Sequence, residues 1–115
     1  MRVVHESDGA SKTLATNVET ADPFLSQARG LMFRRSILDD YALAFRFDAA
    51  AARDVHMVFV PFPLDMVWTR DEDVRRVERL RPWLGRAKAD ADVMFELPAG
   101  SASAVEVGDS VRLVD

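Results

Sequence analysis

Four polar side chains stand beside or within apolar, strand-forming stretches, and these are the residues placed to do chemistry. Asp65 follows Pro63-Leu64 at the head of an apolar run. A carboxylate buried alone is too costly, so Asp65 must accept backbone N–H bonds at a turn, pair with a cation, or face a pocket. His56 interrupts the run Val55–Val60. An imidazole there is a hydrogen-bonded core residue, a ligand or an acid–base group. Arg34 belongs to a set, Arg29, Arg34 and Arg35, flanking Gly30. Guanidinium forks grip carboxylate or phosphate in two-pronged fashion, so the set can clamp an anion; Arg34 can equally pair with Asp65 or Glu96. Glu96, like Asp65, is a base that could work with His56 as acid.

Other chemistries find no support. Ser36, Ser101 and Ser103 lack a G-x-S-x-G elbow, and there is no G-x-x-x-x-G-K-S/T or G-x-G-x-x-G phosphate loop. With no cysteine, two histidines (His5 and His56) and no H-E-x-x-H or calcium-loop spacing, neither a metal nor another cofactor is expected.

The elements that must position these residues are mostly strands. Arg2–His5 and Lys12–Val18 flank a Ser7-Asp8-Gly9 turn signal, the pattern of a hairpin. Asp22-Pro23 opens a predicted helix, with Phe24, Leu25, Ala28, Leu31 and Met32 at helical spacing. Tyr41–Phe47 alternates, with Tyr41, Leu43, Phe45 and Phe47 on one face and Ala42, Ala44 and Arg46 on the other. Val55–Val60 and Leu64–Thr69 read as a buried hairpin joined by Pro61-Phe62-Pro63. A two-residue connection would put His56 and Asp65 on one face, and a three-residue connection on opposite faces. Arg70–Asp73 is a turn, Val74–Leu84 reads as helix or strand with strand preferred, and Asp92–Leu97 is a strand. Ala99–Val105 is a short helix or turn, and Val111–Val114 closes the sheet. Phe45, Met57, Met66 and Trp68 are core; Asp39-Asp40 and Asp71-Glu72-Asp73 are solvated turns.

The 115 residues fit one domain spanning 1–115, and 49% apolar content is enough for a core. A net charge of −4 argues against a nucleic-acid partner, and no apolar run approaches the ~18–20 residues needed to span a bilayer. The expectation is a soluble, cytoplasmic monomer with no membrane partner. Thirteen of the 15 basic residues are arginine and 13 of the 19 acids aspartate; GC-rich coding gives that bias, and so does adaptation to high salt, as in a halophilic archaeon.

Five segments in order, from about Ala15 to Val114, carry a resemblance. Arg29–Arg34 (R-G-L-M-F-R), Ala44–Phe47, His56–Asp65, Glu96–Gly100 (E-L-P-A-G) and Val107–Val111 resemble the uncharacterised family one hundred and ninety-two of the "domain of unknown function" series. The resemblance implies a small β-rich domain without an assigned activity. His56–Asp65 falls in register with the family's W-M-K-N-T-x-I-P-L-D segment. His56 stands at the Trp position, and Val58-Phe59-Val60 replaces Lys-Asn-Thr.

Together these readings give an α+β domain: a twisted, partly closed, barrel-like antiparallel sheet with one or two short helices. The leading functional expectation is a non-catalytic module binding a small polar or anionic ligand through Arg34, His56, Asp65 and Glu96. A small hydrolase or lyase using a His/carboxylate pair, and a protein-interaction domain, are the alternatives.

Overall fold

The computed structural model describes residues 1–21 and 34–115. Within them run β1 Arg2–Ser7, β2 Ala10–Ala15, β3 Asn17–Ala21, β4 Tyr41–His56, β5 Leu64–Arg70, β6 Asp73–Leu80, β7 Arg86–Pro98 and β8 Ser110–Val114. They form one open mixed sheet, ordered β2-β1-β8-β6-β5-β7-β4-β3. β3 and β4 run parallel, and the other pairs are antiparallel.

Turn chemistry sets two of the hairpins. Asp8 and Gly9 take φ of 51° and 79°, with Ser7 opposite Ala10. Two successive left-handed residues match the right-handed twist of the flanking strands, and Asp-Gly accepts that geometry readily. Asp71 and Glu72 repeat it between β5 and β6, at φ of 50° and 72°.

Side-chain alternation then divides the core between the two faces. Tyr41, Leu43, Phe45, Leu64, Met66, Trp68 and Met94 belong to one buried cluster. Ala42, Ala44, Val67, Phe95 and Leu97 belong to another, completed by Val3, Val74 and Val111. The central strands are therefore buried on both sides, and β5 is buried at every residue from Leu64 to Thr69.

The expected hairpin between Val55–Val60 and Leu64–Thr69 does not form. β4 instead continues through Ala49–Ala52 to His56 along β7, residues 57–63 leave the sheet, and β5 lies between β6 and β7. A near-continuous apolar run carries little register information, and the 13-residue β7 pairs with β4 along one edge and with β5 along the other. The sheet also does not close: β2 and β3 remain its edges, and the parallel β3–β4 pair makes it mixed rather than antiparallel. No helix occurs among the described residues, and residues 99–104 are turns. The helix predicted from Asp22 lies outside the described residues.

Coiling takes the place of closure. Register breaks between Arg46 and Ala51, where four residues of β4 face Asp92 alone. Beyond this bulge the far halves of β4 and β7 curl over β5 and β6, packing Val55, Met57, Ala87 and Ala91 onto Met66, Trp68 and Leu80. The Trp68 indole donates to the Arg53 carbonyl (3.0 Å) and Arg76 to that of Lys88 (2.9 Å). Both bonds link β4 and β7 to β5 and β6 outside the strand ladders.

Candidate functional site

Glu19, Leu43, Glu96 and Met66 form one row across β3, β4, β7 and β5, and Asn17 pairs with Tyr41 two residues earlier. Paired residues project from the same face of a sheet, so Asn17, Glu19, Tyr41 and Glu96 share a face. Arg34 donates to Glu19 (3.2 Å), and its guanidinium stands 5.4 Å from the centre of the Tyr41 ring. Together with Ser36, Ile37 and Leu38, these β3, Arg34 and Tyr41 groups line a cavity of about 220 Å³.

The electrostatics follow from burial. Glu96 is 5% exposed between two apolar neighbours. Burial pushes its carboxyl up to about 7, with the positive charge of Arg34 pulling the other way. Burial also pushes Tyr41 up to about 12, opposed by Arg34 and reinforced by Glu19 and Glu96. The hydrogen bond to Glu19 holds Arg34 above its ordinary value. The Arg34 guanidinium acts on the Tyr41 hydroxyl as well as on its ring, but among the described residues the buried Tyr41 Oη has no hydrogen bond of full geometry.

Arg34 and Glu96 thus come together, with Glu19 rather than Asp65 or Glu96 as the direct partner of Arg34. Asp65 stands on the opposite face, in the row of Leu97 and Arg79. It is 3% exposed, and its carboxylate is fully engaged by Arg79 Nε (2.8 Å), Gly100 N–H (2.9 Å) and Ala102 N–H (3.0 Å). Those bonds fasten the 98–102 turn to β5 and β6. His56 is exposed at the end of β4, where its Nδ1 accepts the Val58 N–H (3.3 Å). It forms no hydrogen bond to Asp65 or Glu96, so the pair needed by the hydrolase reading is not assembled. Arg29 lies outside the described residues.

Sequence reasoning missed Glu19 and Tyr41. Tyr41 carried a usable signal, since a phenol on the buried face of a strand still needs a partner for its hydroxyl. Among the described residues no group of three or more His, Cys, Asp or Glu could hold a metal ion.

The second histidine is buried and structural: His5 Nε2 meets Asp109 Oδ2 at 2.7 Å, tying β1 to the turn before β8. That hydrogen bond, and the Glu106 N–H, hold the Asp109 carboxyl below the usual range.

Residues 3–113 match the model of family DUF192, "Uncharacterized ACR". Two solved structures share the fold. A candidate transcription regulator from Sinorhizobium meliloti 1021 is 27% identical, with a TM-score of 0.84 over 96% of this chain and 91% of that one. A protein of unknown function from Novosphingobium aromaticivorans DSM 12444 is 20% identical, with a TM-score of 0.80 over 97% and 84%. No curated protein matches the chain.

Proposed function

The chain belongs to the DUF192 family, and we propose that this member is a non-catalytic domain binding a small polar ligand in the cavity beside Arg34 and Tyr41. The observation that carries the reading is the Tyr41 hydroxyl, buried beside the cavity without a hydrogen bond of full geometry among the described residues. Leaving such a group unpaired costs about 1–3 kcal/mol. A ligand hydroxyl, amide or carbonyl would recover that cost on binding.

Charge and volume narrow the ligand. Arg34 is already offset by Glu19, and Glu96 adds part of a negative charge near pH 7. A neutral, hydrogen-bonding molecule therefore fits better than an anion. The volume lies below the ~300–1,000 Å³ of drug-sized sites, which limits the ligand to a small metabolite. The regulator description of the Sinorhizobium neighbour does not extend to DNA contact here, because a net charge of −4 opposes binding to phosphates.

The test is a proton–nitrogen NMR titration with pooled neutral, cationic and anionic metabolites, on wild type and Tyr41→Phe. A neutral ligand should shift Asn17, Glu19, Ser36 and Tyr41, and Tyr41→Phe should weaken it about 10- to 100-fold. Equal affinity in both proteins, or shifts confined to other residues, would remove the reading.

A further inference from the structure

The face of the sheet opposite Tyr41 carries a second cavity, in a row where two strand ladders break. Arg46 of β4 lies opposite Val93 of β7, and Val93 lies opposite Thr69 of β5. The β4–β7 register shifts directly after Arg46, and the β5–β6 register shifts between Trp68 and Thr69. Bulges of this kind re-aim side chains and gather beside sites. Across the gap, β8 pairs with β6 at Asp73–Ser110 alone. The Val111 N–H bonds the Glu72 carbonyl (3.0 Å), and the strand then continues along β1. The space left between β8 and the β5–β7 face is about 200 Å³, with apolar walls of Val93, Phe95, Val111 and Leu113.

Four polar side chains complete the lining, and their charges are unevenly matched. Arg112 is held by Glu6 and is also attracted by Glu72. One guanidinium thus answers two carboxylates, and Glu72 makes no side-chain hydrogen bond or ion pair among the described residues. That side of the cavity carries a negative excess. Arg46 makes no side-chain hydrogen bond or ion pair among the described residues either, and it stands on β4, away from the β5–β6 turn that holds Glu72. Thr69, 1% exposed, gives its hydroxyl proton to the Val93 carbonyl (3.1 Å), which leaves the oxygen free to accept. The cavity therefore has a cation, a carboxylate and an acceptor around apolar walls, with no net charge among its lining groups.

This balance selects the ligand. An anion would gain Arg46 but meet Glu72, and a cation would gain Glu72 but meet Arg46. A molecule carrying both charges satisfies both, and a chain of net charge −4 does not repel it as it repels an anion. We infer that this cavity binds a small apolar α-amino acid. Its carboxylate meets the Arg46 fork, its ammonium lies towards Glu72 and the Thr69 oxygen, and its side chain packs on Val93, Phe95 and Val111. The volume, below the ~300–1,000 Å³ of drug-sized sites, restricts that side chain to a short one such as valine's. The site is separate from the cavity beside Arg34 and Tyr41 and does not depend on it.

The test is calorimetry together with proton–nitrogen NMR, using L-valine, isovalerate (which lacks the ammonium) and isobutylamine (which lacks the carboxylate). Valine should bind and shift the amides of Arg46, Thr69, Val93 and Val111. Each of the other two should bind about tenfold more weakly or worse. Arg46→Gln and Glu72→Gln should each weaken valine by about tenfold. Both side chains are exposed, so both variants should fold, which the NMR spectrum checks. Tyr41→Phe should bind valine as wild type does, because its ring lies on the other face. No valine binding at millimolar concentration by the folded protein, isovalerate binding as tightly as valine, or shifts gathered around Asn17, Ser36 and Tyr41 would each overturn the inference.

Discussion

Replacing Glu96 by Gln should make the domain more stable, and only at neutral and alkaline pH. In the folded protein burial raises the Glu96 carboxyl from 4.5 to about 7, while in the unfolded chain it titrates near the ordinary value. The folded state therefore holds a proton that the unfolded state has released across this interval. Stability from this group is full below pH 4.5, falls as pH rises towards 7, and is level above that. The interval, at about 1.4 kcal/mol per pH unit, amounts to about 3 kcal/mol. The Glu96→Gln variant has no ionisation at this position. It should match wild type at pH 4.5 yet exceed it by about 3 kcal/mol at pH 8, or about 10 °C in Tm. Urea unfolding at pH 4.5, 6 and 8, followed by the fluorescence of buried Trp68, measures the difference. Other carboxylates titrate in both proteins and cancel in the comparison. A gap that stays constant from pH 4.5 to 8 would refute the reasoning, as would a Glu96 carboxyl carbon titrating near 4.5 by NMR. Arg34→Gln removes the charge that opposes the effect and should move that midpoint above 7.

Tyr41→Phe should leave stability unchanged or raise it by about 1 kcal/mol in thermal unfolding, because the hydroxyl it removes has no full hydrogen bond among the described residues. Asp65→Ala should cost about 3 kcal/mol by urea unfolding, since it strands Arg79 and the Gly100 and Ala102 amides. Gly85→Ala should cost about 2 kcal/mol in the same assay, because a Cβ there would come within 2.8 Å of the Arg81 backbone and Leu80 Cβ. The Asp109 carboxyl is held low mainly by His5, so its stabilising effect is present above its ordinary value of 3.8 and lost as pH falls through its depressed value. Asp109→Asn should accordingly flatten the acid limb of the stability profile.

Local chemistry foretold the elements better than their partners. Asp8-Gly9 identified the first hairpin, and the alternation from Tyr41 to Phe47 placed Tyr41, Leu43 and Phe45 apart from Ala42 and Ala44, on the faces where they lie. The second half of β4 was illegible because Asp48–Ala52 has neither period nor β-propensity, and its strand character comes from pairing with β7. Val55–Val60 misled for the opposite reason: it is apolar but for His56, yet Val58 and Phe59 are exposed at a tip. Of the site, Arg34 and Glu96 could be picked out next to apolar strands, but their meeting depends on the parallel β3–β4 pairing, which no local signal announces. Glu19 was hidden as an ordinary edge-strand charge.

The pairing of β1 with β8 has a consequence for how the chain reaches its native state. Arg2 lies opposite Val114 and Glu6 opposite Ser110, so among the described strands β8 alone pairs the β1–β2 hairpin to the rest of the sheet. During synthesis this hairpin emerges well before its partner strand and must wait, marginal on its own, until β8 leaves the ribosome. Contacts of such sequence separation make for high contact order and folding in milliseconds to seconds rather than microseconds. A nascent chain stalled before residue 110 would therefore carry an unpaired β1 edge, Val3 and Val4 included, and would be a natural client for chaperones.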